Sequence, residues 1–120
     1  MTDNILIKST DLIGRAVHDR KGGKLATIRE VFIDKLTGQV QFVILDTGGL
    51  FGGGGKFHPL PWRLLHFDPA ADLYATAVTK DQLKQAPAYD RDQLNSTAYG
   101  WGDQIDQFFG NETILTPEGR

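Results

Sequence analysis

The sequence predicts a mainly β fold: a small antiparallel barrel of five to six strands over residues 9–78, followed by a short helical tail over 79–110. Three observations predict it. Short runs rich in β-branched and aromatic residues recur between turn signals. The turns carry Gly, Asp and Pro where tight reversals need them. After Thr79 the apolar spacing changes from the strand period to the helical one. Residues 1–8 and 111–120 fall outside both patterns and are expected to be poorly ordered.

Ala16 to Asp19 reads as the first strand, and Arg20-Lys21-Gly22-Gly23-Lys24 as the turn after it. The long run Leu25 to Asp34 breaks strict alternation, because Ile28 and Val31 fall on opposite faces. A bulge near Arg29-Glu30 would return both to one inward face, and bulges are the devices that bend a sheet into a barrel. Asp34-Lys35-Leu36-Thr37-Gly38-Gln39 has hairpin-loop chemistry, with Asp early and Gly late. Val40 to Leu45 is apolar on both faces, which predicts a central strand whose outer side is also covered, by the tail or by a partner.

A glycine-rich loop, Gly48 to Gly55, leads to a strand over 56–62. Pro59 and Pro61 lie two residues apart and both lack an N–H, so one side of that strand is an edge or a break in the ladder. Leu64 to Phe67 and Leu73 to Thr76 are the last strands, joined by Asp68-Pro69-Ala70-Ala71-Asp72. Thr79-Lys80-Asp81-Gln82 is a capping box that opens a short helix, and Pro87 ends it. A second helix is expected within residues 96–109, where Tyr99, Trp101, Ile105, Phe108 and Phe109 form one apolar stripe.

Composition narrows the chemistry. The chain contains no cysteine, which excludes disulfides, thiolate catalysis and thiolate metal sites. No stretch approaches the roughly 20 apolar residues of a membrane span, and the apolar run near the N-terminus is too short for a signal-peptide core. A cytoplasmic protein is the expectation. Residues 1–67 carry a charge of +3 and residues 68–120 a charge of −5. The basic excess is spread over turns instead of forming a dense face, which argues against a nucleic-acid partner.

The motifs that could carry chemistry fail on inspection. A phosphate-binding P-loop needs glycine where Leu50 stands and Ser or Thr where Phe57 stands. His58 and His66 lie on adjacent expected strands and could approach each other, but no third ligand is placed by spacing, and a metal wants three or four. Ser9, Ser96 and the threonines lack a strand–elbow–helix setting for a nucleophile. Asp103 and Asp106, three apart on the second tail helix, read as a solvated face. No catalytic residue, metal or cofactor is expected.

The order of the motifs resembles a known family. Gly48, Gly49, Leu50, Phe51, Gly52, Gly54, Lys56, Pro61 and Trp62 are similar to the glycine pair, apolar pair, basic residue and Pro-Trp strand end of free-standing bacterial PRC-barrel proteins. This is the β-barrel module of the photosynthetic reaction centre H subunit. Asp11 to Val17 resembles the family's opening motif; Gly22 to Leu25, and Ile33-Asp34 with Thr37-Gly38, resemble its turns; Thr79 to Pro87 resembles the helix that follows. Gly53 and Gly55 depart from the pattern, standing where relatives carry an apolar and a charged residue.

The resemblance spans about residues 9–90 and implies a PRC-type barrel that binds other proteins. It does not imply a role in photosynthesis. A barrel within a ribosome maturation factor gives an RNA-related alternative by analogy, and an enzyme of unknown reaction is a second alternative. The expectation is a non-catalytic adaptor, homodimeric, with an unknown protein partner, touching its partners through Leu50, Phe51, Trp62, Tyr99, Trp101, Phe108 and Phe109. Leu50 and Phe51 would either plug the barrel end or face the partner. The tail aromatics would cover the outer face of a barrel, their own or that of a dimer partner.

Overall fold

The computed structural model describes residues 6–49, 56–96 and 100–110. Six strands form one curled sheet: β1 (Ala16–His18), β2 (Lys24–Ile33), β3 (Val40–Asp46), β4 (His58–Pro61), β5 (His66–Asp68) and β6 (Leu73–Ala75). The spatial order is β4-β3-β2-β1-β6-β5. Four short helices accompany them: α1 (Ser9–Leu12), α2 (Lys80–Gln85), α3 (Arg91–Leu94) and α4 (Trp101–Gly110).

The register shift in β2 falls between Ile28, opposite Leu45, and Glu30, opposite Ile44. The bulge at Arg29 therefore sits where the broken alternation predicts it. It gives the sheet two apolar faces. Ile28, Leu45 and His58 form one inward row, and Val31, Val43 and Leu60 form the next. Glu30, Ile44 and Pro59, then Phe32, Phe42 and Pro61, form the outward rows. Val17, Ile28, Val43, Leu45 and Leu60 are wholly buried, so the curled sheet is filled by its own aliphatic side chains.

β4 ends the sheet, as Pro59 and Pro61 require. Beyond it, Phe57 and Tyr89 exchange backbone hydrogen bonds of 2.8 and 2.9 Å, so the tail extends and protects this edge. A 3-10 turn (Trp62–Leu64) replaces the start of the expected fifth strand, which begins only at His66. The turn joins the two ends of the sheet: Thr76 Oγ1 donates to Leu64 O at 2.8 Å and accepts from Val78 N at 3.2 Å. No ladder joins β4 to β5 among the described residues. One pairing departs from the antiparallel expectation. β1 and β6 run parallel, which the intervening chain between them permits.

Thr79 and Gln82 make the expected capping box at α2. Asp90 and Gln93 make a second one at α3, a helix the sequence reading leaves out. The outer rows are covered by the tail. The Trp101 ring stands edge-on to Phe32 and Phe42, each at 5.1 Å between centroids, and its Nε1 donates to Leu94 O at 3.1 Å. Ile105 and Phe109, one and two turns further along α4, are wholly buried below it. β3 is thus covered on both sides from Phe42 to Leu45, which explains the apolar run there; Gln41, before it, is exposed.

Candidate interaction surface

The turn between β2 and β3 is fixed by its own polar groups. Asp34 Oδ1 accepts from Leu36 N at 2.7 Å and from Thr37 N at 3.2 Å. Gly38 N donates to Asp34 O at 2.8 Å, Asp34 N donates to Gln39 O at 2.8 Å, and Thr37 Oγ1 accepts from Gln39 N at 3.1 Å. Gly38 stands at φ 78°, a conformation that strains any residue with a Cβ. This locked loop presents Leu36 at 97% exposure, with Ile33 at 55% beside it.

Next to the turn lies an open groove of about 490 Å³. Phe32, Ile33, Phe42, Trp101 and Gly102 line it, together with Asp34, Lys35 and Gln41. Gly102 packs beside the Phe42 ring, where a Cβ would make ordinary van der Waals contact at 3.5 Å. Lys35 is exposed and has no ion pair among the described residues. Asp103, the next residue of α4, is exposed as well.

The structure scatters the aromatic set named from sequence. Trp101 and Phe109 are core residues, at 6% and 1% exposure. Trp62 is half-buried at the start of the 3-10 turn, and Phe108 is half-buried with its ring edge-on to Phe109 at 4.9 Å. Leu50, Phe51 and Tyr99 lie outside the described residues. Leu36 and Ile33, which that set does not include, are the exposed apolar residues beside the groove. The available signal was a leucine in a turn otherwise built of Asp, Lys, Thr and Gly.

The histidines do not converge. β4 and β5 occupy opposite ends of the sheet order, so His58 and His66 are not on neighbouring strands, and His66 is exposed while His58 is buried. His18 Nδ1 lies 3.2 Å from Gly22 O. Among the described residues no group of three His, Asp or Glu side chains could hold a metal ion. A second cavity, of about 60 Å³, lies between the sheet and α3 and is bordered by Arg29, Glu30 and Arg91. Such a volume suits a few waters, not a substrate. His58 lines neither the cavity nor the groove.

Burial among Ile28 and Leu45 pushes the His58 imidazole below its ordinary pKa of 6.5, because the apolar row disfavours the charged form. The unfolded chain then binds the proton first. Stability should be flat above pH 6.5 and fall as pH drops below it, until the lower folded pKa is passed. Asp46 acts in a different window. Its carboxylate accepts from Gly48 N at 2.8 Å and Arg29 Nε at 2.9 Å; the first of these contributes most to holding it below its ordinary 3.8. The stability it adds is lost only as pH falls below 3.8. Urea midpoints at about pH 7.5 and about pH 5.5 therefore isolate His58 from Asp46. The midpoint should drop at the lower pH, and His58→Leu should flatten that drop. An unchanged wild-type midpoint would remove the argument.

The sequence of residues 5–83 matches the family model of the PRC-barrel domain. The chain belongs to the PRC-barrel family. The matched segment contains all six strands and most of α2, so the PRC barrel supplies the β2–β3 turn and one wall of the groove. α3 and α4, which carry Trp101 and the opposite wall, lie beyond it. A protein of Deinococcus radiodurans described as an uncharacterized protein is 27% identical over 85 residues, covering 71% of this chain. The chain spans about 30% of the length of that relative. PRC-barrel domains are a family of non-catalytic modules. No helix among the described residues is long and apolar enough to cross a membrane.

Proposed function

We propose that this PRC barrel is a non-catalytic adaptor, working as a homodimer in a cytoplasmic setting and binding a protein partner through apolar surface. One observation supports it above the others. The interior is filled by the chain's own side chains, while a locked turn holds Leu36 almost fully in water beside an apolar groove. A contiguous exposed apolar patch is a feature of interaction surfaces, and Leu36 and Ile33 adjoin the apolar wall of this groove. Leu50, Phe51 and Tyr99 stay in the proposal, with the half-buried Trp62 and Phe108. Trp101 and Phe109 enter it from beneath, by shaping the tail that walls the groove. A match to part of a much longer relative is what a module reused in larger chains would give.

Sedimentation equilibrium of the whole chain through the micromolar range tests the reading. Reversible, concentration-dependent dimerisation is expected. In native-level co-purification the wild type should retain one protein partner that Ile33→Asp loses. A chain that stays monomeric into the high micromolar range and retains nothing would overturn the proposal.

A further inference from the structure

We infer that β5 is the dimer edge: the β5 strands of two copies pair antiparallel about a two-fold axis at Phe67 and join their sheets. The inference rests on the homodimer reading above and gives that dimer its surface. It leaves the β2–β3 turn and its groove free for a different protein.

β5 ends the sheet opposite β4, and β6 is its one neighbour in the ladder. Strand parity shows which of its backbone groups are spent. Thr76 N donates to His18 O at 2.9 Å, so the N–H and C=O groups of Tyr74 and Thr76 point towards β1, and those of Leu73 and Ala75 point towards β5. β6 therefore engages Asp68 and His66, the residues in register with them, and the N–H and C=O of Phe67 point out of the sheet. Among the described residues nothing bonds to those two groups, whereas the edge of β4 is covered through Phe57 and Tyr89. All three residues of β5 are exposed.

The flanks of Phe67 restrict what can pair there. The next outward positions are Leu65, whose N–H is spent on Trp62 O at 3.0 Å, and Pro69, which has no N–H. So short an edge does not template a growing sheet. It offers one residue with both a donor and an acceptor. Two such edges satisfy each other in one antiparallel register, Phe67 against Phe67 of the second copy, and that register is two-fold.

The side chains suit this register. On one face it sets each His66 imidazole, a hydrogen-bond donor, across from the other copy's Asp68 carboxylate. Asp68 Oδ1 accepts from Ala70 N at 3.0 Å and Ala71 N at 3.3 Å, and Oδ2 takes no bond among the described residues. On the other face Phe67 is 48% exposed, with its inner side against the Tyr74 ring at 5.1 Å between centroids. Phe67 of the second copy covers the outer side, so the aromatic row runs on across the axis. Two backbone hydrogen bonds and one aromatic row make less than the roughly 800 Å² per partner of a standard interface, so the dimer should form in the upper micromolar range.

Amide hydrogen exchange of the wild type tests the pairing. The Phe67 N–H should be protected when the protein is concentrated and exchange freely on dilution, while the His66 and Asp68 amides held by β6 change little. Sedimentation equilibrium of two variants gives a second readout. The His66 side chain is exposed and makes no hydrogen bond or ion pair among the described residues, so its substitution leaves the core alone. His66→Asp puts an acid across from Asp68 twice in each dimer and should weaken association about tenfold. His66→Lys puts a cation there and should tighten it several-fold. Both effects should shrink at high salt.

A wild type that dimerises while its Phe67 amide exchanges at one rate at every concentration would overturn this surface and leave the homodimer reading standing. A dimer indifferent to both His66 variants would do the same. A wild type that stays monomeric into the high micromolar range would overturn the homodimer reading and this surface with it.

Discussion

Replacing Trp101 with alanine is expected to lower the unfolding free energy by about 3–5 kcal/mol, the range for removing a large buried aromatic. The ring does three things at once. It covers the outward row of Phe32 and Phe42, with edge-on contacts of 5.1 Å to each, and such pairs add about 0.5–1.5 kcal/mol beyond area burial. Its Nε1 holds the Leu94 carbonyl at 3.1 Å, tying α3 to α4. It also begins α4, so the burial of Ile105 and Phe109 depends on the angle it sets.

Trp101→Phe separates these roles. It keeps a ring against Phe32 and Phe42 and leaves the Leu94 carbonyl without this donor. It should cost less than Trp101→Ala by at least about 1 kcal/mol. Urea unfolding followed by far-ultraviolet circular dichroism measures both. A loss under about 1 kcal/mol for the alanine variant would mean that the tail adds little to the stability of the sheet.

Deleting Arg29 is expected to destabilise the protein by straightening β2 while leaving its faces unchanged, whereas Arg29→Ala is expected to be nearly silent. The alanine variant keeps the backbone bulge. It loses only the half-exposed ion pair to Asp46, 2.9 Å long, and pairs of that kind contribute about 0–1 kcal/mol. Removing the residue removes the bulge. Ile28 and Glu30 already oppose the consecutive residues Leu45 and Ile44, so without Arg29 the ladder runs on regularly, with Glu30 and Phe32 still outward and Val31 still inward.

What is lost is the bend that a bulge puts into the strand, so the buried row of Ile28, Val43, Leu45 and Leu60 should close less tightly, at a cost of about 0.5–3 kcal/mol. Small domains hold about 5–15 kcal/mol in reserve, so the variant should still fold. Dispersed amide resonances in a nitrogen–proton correlation spectrum report the outcome. The deletion variant should keep a dispersed spectrum; a collapse of dispersion would show that the fold depends on the bend itself and not only on which face each side chain takes.

These two substitutions mark the boundary between what the residues encode locally and what they do not. The bulge was legible because parity is a local property: Ile28 and Val31 cannot share a face without an extra residue between them. The edge position of β4 followed from two prolines, and the start of α2 from the Thr79–Gln82 box, for equally local reasons. The second capping box, Asp90–Gln93, is equally local, but its four-residue helix has no apolar stripe to announce it.

Aromatic residues are a different case. Trp101 and Phe109 could serve a core or an interface with the same chemistry, and only their position under α4 decides between the two. Leu36 is the converse. Nothing in its neighbours reveals 97% exposure or a groove beside it, because that groove is made by Phe32 and Phe42 from the sheet and Trp101 from a helix some sixty residues away in the chain.

The sequence by itself determined the β-rich class, the bend in the long strand, the proline edge and the family, since each rests on φ/ψ limits, hydrogen-bond donors or apolar parity within a few residues. Tertiary structure alone decided the parallel β1–β6 pair, the separation of His58 from His66, and which apolar side chains face water. Those depend on contacts between distant segments, whose free energy is set by the whole packed arrangement and not by any window of the chain.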